Sequence, residues 1–183
     1  MQSINGDYTG LVAVYFPRQA DIQRYMVTDK LSESEEGTRN FLIHLPLFDT
    51  FNVEELDTLA KHMSYVHLKR GELLFGEGDR GNFMGFVVHG VLEVLKRSES
   101  GEEVVIARLT RGNSIGEMSL IDKSPRSATV VAVQPATMIT LTERGFDIMA
   151  HKAPNLAIKL IRKTARLLSL NLRRTSSRLA DLL

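Results

Sequence analysis

Two ionisable residues nine positions apart are the part of this sequence best suited to holding a small charged molecule. Glu117 follows Gly116, and Arg126 follows Pro125. An ionised carboxylate only accepts hydrogen bonds, which fits it to a pair of hydroxyls such as those of a ribose. A guanidinium presents a planar fork that matches two phosphate oxygens. Gly116 permits a tight turn and close approach of a ligand to the backbone. Glu117 to Ile121 are read as one helical turn, whose first N–H groups and dipole favour an anion. Pro125 stiffens the approach to Arg126, Ser127 adds a hydroxyl beside it, and the β-branched run from Ala128 reads as a strand carrying the arginine on a rigid rail. For each charged residue taken alone the bland alternative is a structural role: an ion pair for Arg126, a helix-end carboxylate for Glu117.

Other short patterns lack the context their chemistry needs. Gly76-Glu-Gly-Asp-Arg-Gly81 fits G-x-G-x-x-G, but a strand-like run from Phe83 follows where a dinucleotide site needs a helix, so these glycines are read as turns. Gly112-Asn-Ser-Ile-Gly116 fits the nucleophile elbow G-x-S-x-G without the alternating strands and helices that motif requires. The histidines at 44, 62, 67, 89 and 151 show no metal-binding spacing. The expectation is a non-catalytic chain with no cofactor and no metal.

Short strands carry these residues. Tyr65 to Leu68, Glu72 to Phe75, Phe83 to His89, Leu92 to Lys96 and Val104 to Leu109 are separated by Gly71, Gly78, Gly90 and Gly101. Ala128 to Val133 and Met138 to Leu141 follow the Glu117–Arg126 stretch. That spacing predicts a β-barrel or jelly roll. Ahead of it, Phe41 to Phe48 reads as an apolar turn. Leu56, Leu59, Ala60 and Met63 predict an amphipathic helix over 53–63, with Asn52 as its cap. Behind it come a helix over 143–150 and, with Pro154 in its first turn, a helix running to the end of the chain. Residues 158, 161, 165, 168, 172, 175, 179 and 182 repeat at alternating steps of three and four, a heptad seam. Leu156, Leu160 and Leu167 form a second stripe. One stripe can pack on the roll while the seam meets a second copy, which predicts a parallel homodimer through residues 158–182; one broad stripe buried in a monomer is the alternative.

Gly116-Glu-Met-Ser-Leu120 followed by Pro125-Arg-Ser-Ala-Thr-Val130 resembles the phosphate-binding cassette of cyclic-nucleotide-binding domains, the family of the catabolite activator protein and of kinase regulatory subunits. The resemblance covers about residues 41 to 180. It implies an α+β fold: an eight-stranded β-roll (jelly roll) with N-terminal helices and a long C-terminal helix. It also implies ligand contacts at Gly116, Glu117, Met118, Ser119, Arg126 and Ser127, with Val94 and Ile106 in a purine pocket facing the cassette. In such domains the residue after the cassette arginine bears on purine choice, Ala accompanying cyclic AMP and Thr cyclic GMP. Ser127 stands between them. Carrying the register of bacterial activators onto the long helix places their purine-contacting polar pair at Asn171 and Leu172; the first can donate and accept, the second cannot.

The implied function is a regulatory module that senses a cyclic nucleotide, cyclic AMP before cyclic GMP, and relays it through the C-terminal helix to a downstream protein partner. The rivals are a scaffold that binds no nucleotide and a truncated transcription regulator, since the DNA-reading helix-turn-helix of many relatives would lie beyond Leu183.

The 183 residues divide on this reading into an N-terminal extension (1–40), the roll with its flanking helices (41–153) and the long helix (154–183). Leu11 to Phe16 reads as a strand, Ala20 to Tyr25 as the start of a helix and Ser32 to Gly37 as a linker. No run reaches the roughly 18 apolar residues of a membrane span, the start lacks the order of a signal peptide, and there is no cysteine. The expected setting is the cytoplasm, away from membranes. The net charge of +1 hides an asymmetry: eight basic residues against Asp181 from Lys152 onward give +7, leaving −6 for the remainder. Leucines interleave with those charges at helical spacing, so they are read as a solvated helix face and not as a nucleic-acid surface.

Overall fold

A computed structural model describes residues 33–180. Helix α1 (Glu35–Leu42) opens the described part, followed by a 3-10 turn (Pro46–Phe48) and α2 (Val53–Ala60). Strands β1 (Met63–Leu68), β2 (Leu73–Phe75), β3 (Phe83–His89), β4 (Leu92–Arg97), β5 (Glu103–Leu109) and β6 (Ser114–Ile115) come next. Helix α3 (Glu117–Asp122) precedes β7 (Thr129–Ala132) and β8 (Ala136–Thr142), and α4 (Glu143–Lys152) and α5 (Pro154–Ala180) close the order. The eight strands form two antiparallel four-stranded sheets, ordered β1-β8-β3-β6 and β2-β7-β4-β5. This is the expected β-roll with N-terminal helices and a long C-terminal helix. The eighth strand, β6, is two residues long and lies just ahead of the cassette, too short to leave a periodic signal.

The first sheet is covered on both faces, which explains the near-continuous apolar run of β3. Along that strand Met84, Phe86 and Val88 face a core shared with the helices, while Val87 faces the roll interior. β8 divides the same way: Ala136 and Met138 turn inward, Ile139 and Leu141 toward the helices. The second sheet has one wet face, and β4 accordingly alternates buried Leu92 and Val94 with more exposed Glu93 and Lys96.

The helix starts are set by side-chain caps. Asn52 and Glu55 form a reciprocal capping box at α2, as Asn52 was expected to do, and Thr142 caps α4 through Gly145 N–H. Ser34 caps α1, so the predicted linker over 32–37 is a helix start from Glu35, and the packed unit begins ahead of residue 41. Two acidic residues in its first turn, and Arg39 bound to Asp57 of α2 at 3.0 Å, hold a segment whose polarity reads as loop. Helix α2 ends at Ala60, and Met63 starts β1 instead of extending the helix. The strand and helix read over 11–16 and 20–25 lie outside the described residues, as does Leu182 of the seam.

Helix α5 carries its two stripes as the spacing predicts. Leu156 and Leu160 are buried and Leu167 half-buried; Ala157 and Thr164 join the buried stripe. On the seam, Ile158 and Leu172 stay exposed, at 52% and 68%, and Ile161 and Leu168 are half-covered.

Candidate functional site

Helix α3 starts from Gly116, which sits at φ 78°. A Cβ there would lie 2.3 Å from Arg126 Nη1 and 2.8 Å from the Phe83 carbonyl oxygen. Gly116 is therefore required twice, by its backbone angle and by the arginine lying against it.

Arg126 is not on a strand. It lies three residues ahead of β7, and the β2–β3 turn clamps its backbone: Arg126 N–H donates to Asp79 O at 2.8 Å, and Gly78 N–H donates to Arg126 O at 2.9 Å. The turn reading of Gly76–Gly81 holds, and this clamp is what the turn does. Asp79 shapes it by accepting from Gly76 N–H, and Gly81 leaves room for Ser119, whose Oγ would lie 2.1 Å from a Cβ at that position.

The Arg126 side chain is 3% exposed and stacked between two phenyl rings, its guanidinium carbon 4.1 Å from the Phe75 ring centre and 4.4 Å from that of Phe83. Its Nη2 donates to Phe83 O at 2.9 Å, and its Nη1 donates to Gly116 O at 3.3 Å and Ser119 Oγ at 3.4 Å. Its Nε is buried without a partner. Among the described residues no carboxylate comes within ion-pair distance of it. The structural ion pair is thus not what holds this charge.

Glu117, at 6% exposure, is the second buried charge. Ser114 Oγ donates to its Oε1 at 3.2 Å. Burial pushes its carboxyl above the usual carboxylate range, opposed by its own backbone N–H, the Ser114 hydroxyl and the nearby Arg126. Burial likewise lowers the Arg126 guanidinium, against the attraction of Glu117 and Asp79. Two opposite charges are thus desolvated close to each other without meeting, an arrangement that an incoming ligand with an anionic and a hydroxylic end would satisfy.

Gly116, Glu117, Ser119 and Arg126 come together as the sequence implies. Met118 is half-exposed on the outer side of α3, and Ser127 is exposed, its carbonyl oxygen accepting from Lys96 Nζ at 2.7 Å. Val94 is buried in the roll core, with Ile106 half-buried against it. Pairing of Val94 with Ala107 but Leu95 with Val105 leaves Ile106 as an extra residue, a bulge that re-aims it. Asn171 is on α5, which packs against α3, and its Oδ1 is buried without a partner. Phe75, Phe83 and Ser114 belong to the site although no sequence signal marks them, because their contacts with Arg126 and Glu117 exist only once the roll has closed. Among the described residues no cluster of His, Cys, Asp or Glu fits a metal, and no helix is long and apolar enough to cross a membrane.

Comparison with known proteins agrees with this geometry. The family model described as "Cyclic nucleotide-binding domain" matches residues 65–152. Over 111 residues, 58% of this chain, the sequence is 34% identical to a cAMP-dependent protein kinase regulatory subunit of Mycosarcoma maydis. Over 121 residues, 66% of the chain, it is 31% identical to the Cyclic AMP receptor protein of Thermus thermophilus. The matches span 21% and 56% of the length of those two proteins. Among solved structures, a cyclic nucleotide-binding domain from Methylobacillus flagellatus superposes with a TM-score of 0.71 at 28% identity, over 81% of this chain and 84% of that one. With its β-roll, its Glu117–Arg126 cassette and this matching model, the chain belongs to the cyclic nucleotide-binding domain family.

Proposed function

We propose that this regulatory domain binds cyclic AMP in preference to cyclic GMP, without catalysing a reaction, and relays occupancy through α5 to a second copy of the chain and a downstream protein partner. The observation that carries the reading is the buried Arg126 guanidinium, which has no carboxylate within ion-pair distance among the described residues and sits beside the start of α3. In this reading Arg126 takes the cyclic phosphate and Glu117 the ribose hydroxyl. Gly116, Met118 and Ser119 shape the cassette. Ser127, Val94 and Ile106 face the purine, and Asn171 closes over it with its unpartnered amide oxygen. The relatives named for cyclic AMP favour that nucleotide, and Ser127 is compatible with either purine.

The relay rests on α5 touching both α3 and the 3-10 turn, so that a ligand favouring one placement of the helix shifts its equilibrium. The exposed seam residues Ile158 and Leu172 support a homodimer through 158–182. The expected setting is the cytoplasm.

Calorimetric titration with cyclic AMP, cyclic GMP and a cyclic dinucleotide tests the ligand. Arg126→Ala should cost about 2–5 kcal/mol of affinity, because truncation leaves a desolvated phosphate unpaired. Unchanged binding in that variant overturns the cassette assignment. Glu117→Gln should bind the 2′-deoxy analogue about as well as the parent does while losing affinity for the ribonucleotide; equal losses for both place Glu117 in another role.

A further inference from the structure

Apart from the cassette, a cleft of about 210 Å³ opens between α5 and the outer face of the first sheet. Phe86, Gly112 and Ser114 form its floor, Leu45 and Leu47 one wall, and Leu167 and Leu170 of α5 the other. None of Gly116, Glu117 or Arg126 lines it. Lys163, Arg166 and Asp49 stand at its rim, and the Lys163 ammonium is bound to the Asp49 carboxylate. Arg166 has no carboxylate within ion-pair distance among the described residues. The rim therefore carries one cation more than its anion, over an apolar interior.

That combination fits a small amphipathic monoanion, and the volume limits its length. At about 30 Å³ per water, and a similar space per methylene, the cleft takes a chain of about six to eight carbons. It lies below the usual size of a drug-like pocket, so a short chain suits it better than a nucleotide with its sugar and phosphate.

The cleft also touches the cassette by one hydrogen bond. Ser114, on its floor, is the residue whose hydroxyl donates to Glu117 Oε1 at 3.2 Å. Its opposite wall is α5, the helix that packs on α3. We propose that this cleft is a second ligand site for a medium-chain carboxylate held at Arg166, and that its occupancy changes nucleotide affinity through Ser114–Glu117 and the seating of α5. The coupling rests on the nucleotide reading above; the site itself does not.

Octanoate, below its micellar concentration, is the probe, titrated calorimetrically into the full chain beside octanol and octylamine. Octanoate should bind saturably with one site per chain, octanol more weakly, and octylamine not at all. Arg166 is exposed, so Arg166→Gln should melt with the parent while losing about tenfold in octanoate affinity, as befits a charge-assisted contact. Non-saturating or multi-site heats, or an Arg166→Gln variant that binds octanoate like the parent, overturn the site. Saturating octanoate should shift cyclic AMP affinity by about threefold or more, and cyclic AMP should shift octanoate affinity by the same factor. Normal cyclic AMP binding with no shift overturns the coupling alone. A chain that binds no cyclic AMP overturns the nucleotide reading and the coupling, while the octanoate titration still decides the site.

Discussion

The cassette and the outer half of α5 handle side chains in opposite ways. The cassette buries Arg126 and Glu117 and surrounds the arginine with carbonyl oxygens and phenyl rings, leaving its Nε unpartnered. Helix α5 leaves Leu172 of its seam exposed, while the charges nearer its start are matched on the surface, Lys159 to Glu55 and Lys163 to Asp49. Buried charge without an ion pair is expensive and is explained by a ligand. Exposed leucine on a helix face costs far less and becomes informative only as part of a continuous apolar seam. One chain thus carries two unlike regions, which the proposed function reads as a small-molecule site and a docking face.

The largest disturbance should come from Gly116→Val. A β-branched residue at φ 78° is strained, and its Cβ would meet the Phe83 carbonyl oxygen as well as the guanidinium. A loss of at least about 3 kcal/mol in unfolding free energy is expected, the left-handed angle alone accounting for about 1–2. Denaturant melts measure it, and a variant as stable as the parent would show that the cassette is less tightly built than the contacts indicate.

Leu168→Lys combined with Leu172→Lys should leave the cassette intact and weaken self-association by about thirtyfold or more, roughly 2 kcal/mol, by placing like charges across the seam. Sedimentation reads the outcome as a folded monomer. A dimer that persists at low concentration rules out the seam, and a monomer with unaltered nucleotide affinity separates dimerisation from sensing.

The pH dependence of Glu117 gives a smaller effect with two opposite signs. Its carboxyl titrates higher in the folded chain than in the unfolded one, so the unliganded fold loses stability as pH rises from about 4.3 through the raised value. Nucleotide binding needs the carboxylate and should weaken as pH falls through that same value, by up to about tenfold per pH unit. Glu117→Gln should flatten both profiles. A parent whose binding is constant from neutral pH down to the ordinary carboxylate range contradicts the role given to Glu117.

Lys159→Ala should matter least. Lys159 pairs with Glu55 at 2.6 Å, donates to the Thr50 carbonyl oxygen at 2.8 Å and lies 4.6 Å from the Phe51 ring centre; all three contacts are partly exposed, and together they should contribute about 1–2 kcal/mol. A loss well beyond that in a thermal melt would mean that α5 is anchored chiefly through Lys159 and not through Leu156 and Leu160.

Much of this molecule is written in local sequence. Most strand spans follow from short runs between glycine turns, the start of α2 from Asn52, the two stripes of α5 from its three-four spacing, and the cassette from an ordered run of residue types. All of these depend on contacts within a few positions, where chemistry and spacing suffice. Other features depend on closure. Helix α1 reads as a polar linker until Asp57 and the core give it something to pack on, and β6 is too short to carry a period. Phe83 reaches Arg126 across 43 positions, so its ring and its carbonyl become part of the site only when β3 lies beside the loop ahead of β7. The sequence by itself determined seven of the eight strands, the helices from α2 onward apart from their exact ends, and the identity of the charged pair. The tertiary structure decided that both charges are buried without touching, because desolvation is a property of everything that surrounds a group and not of its neighbours in the chain.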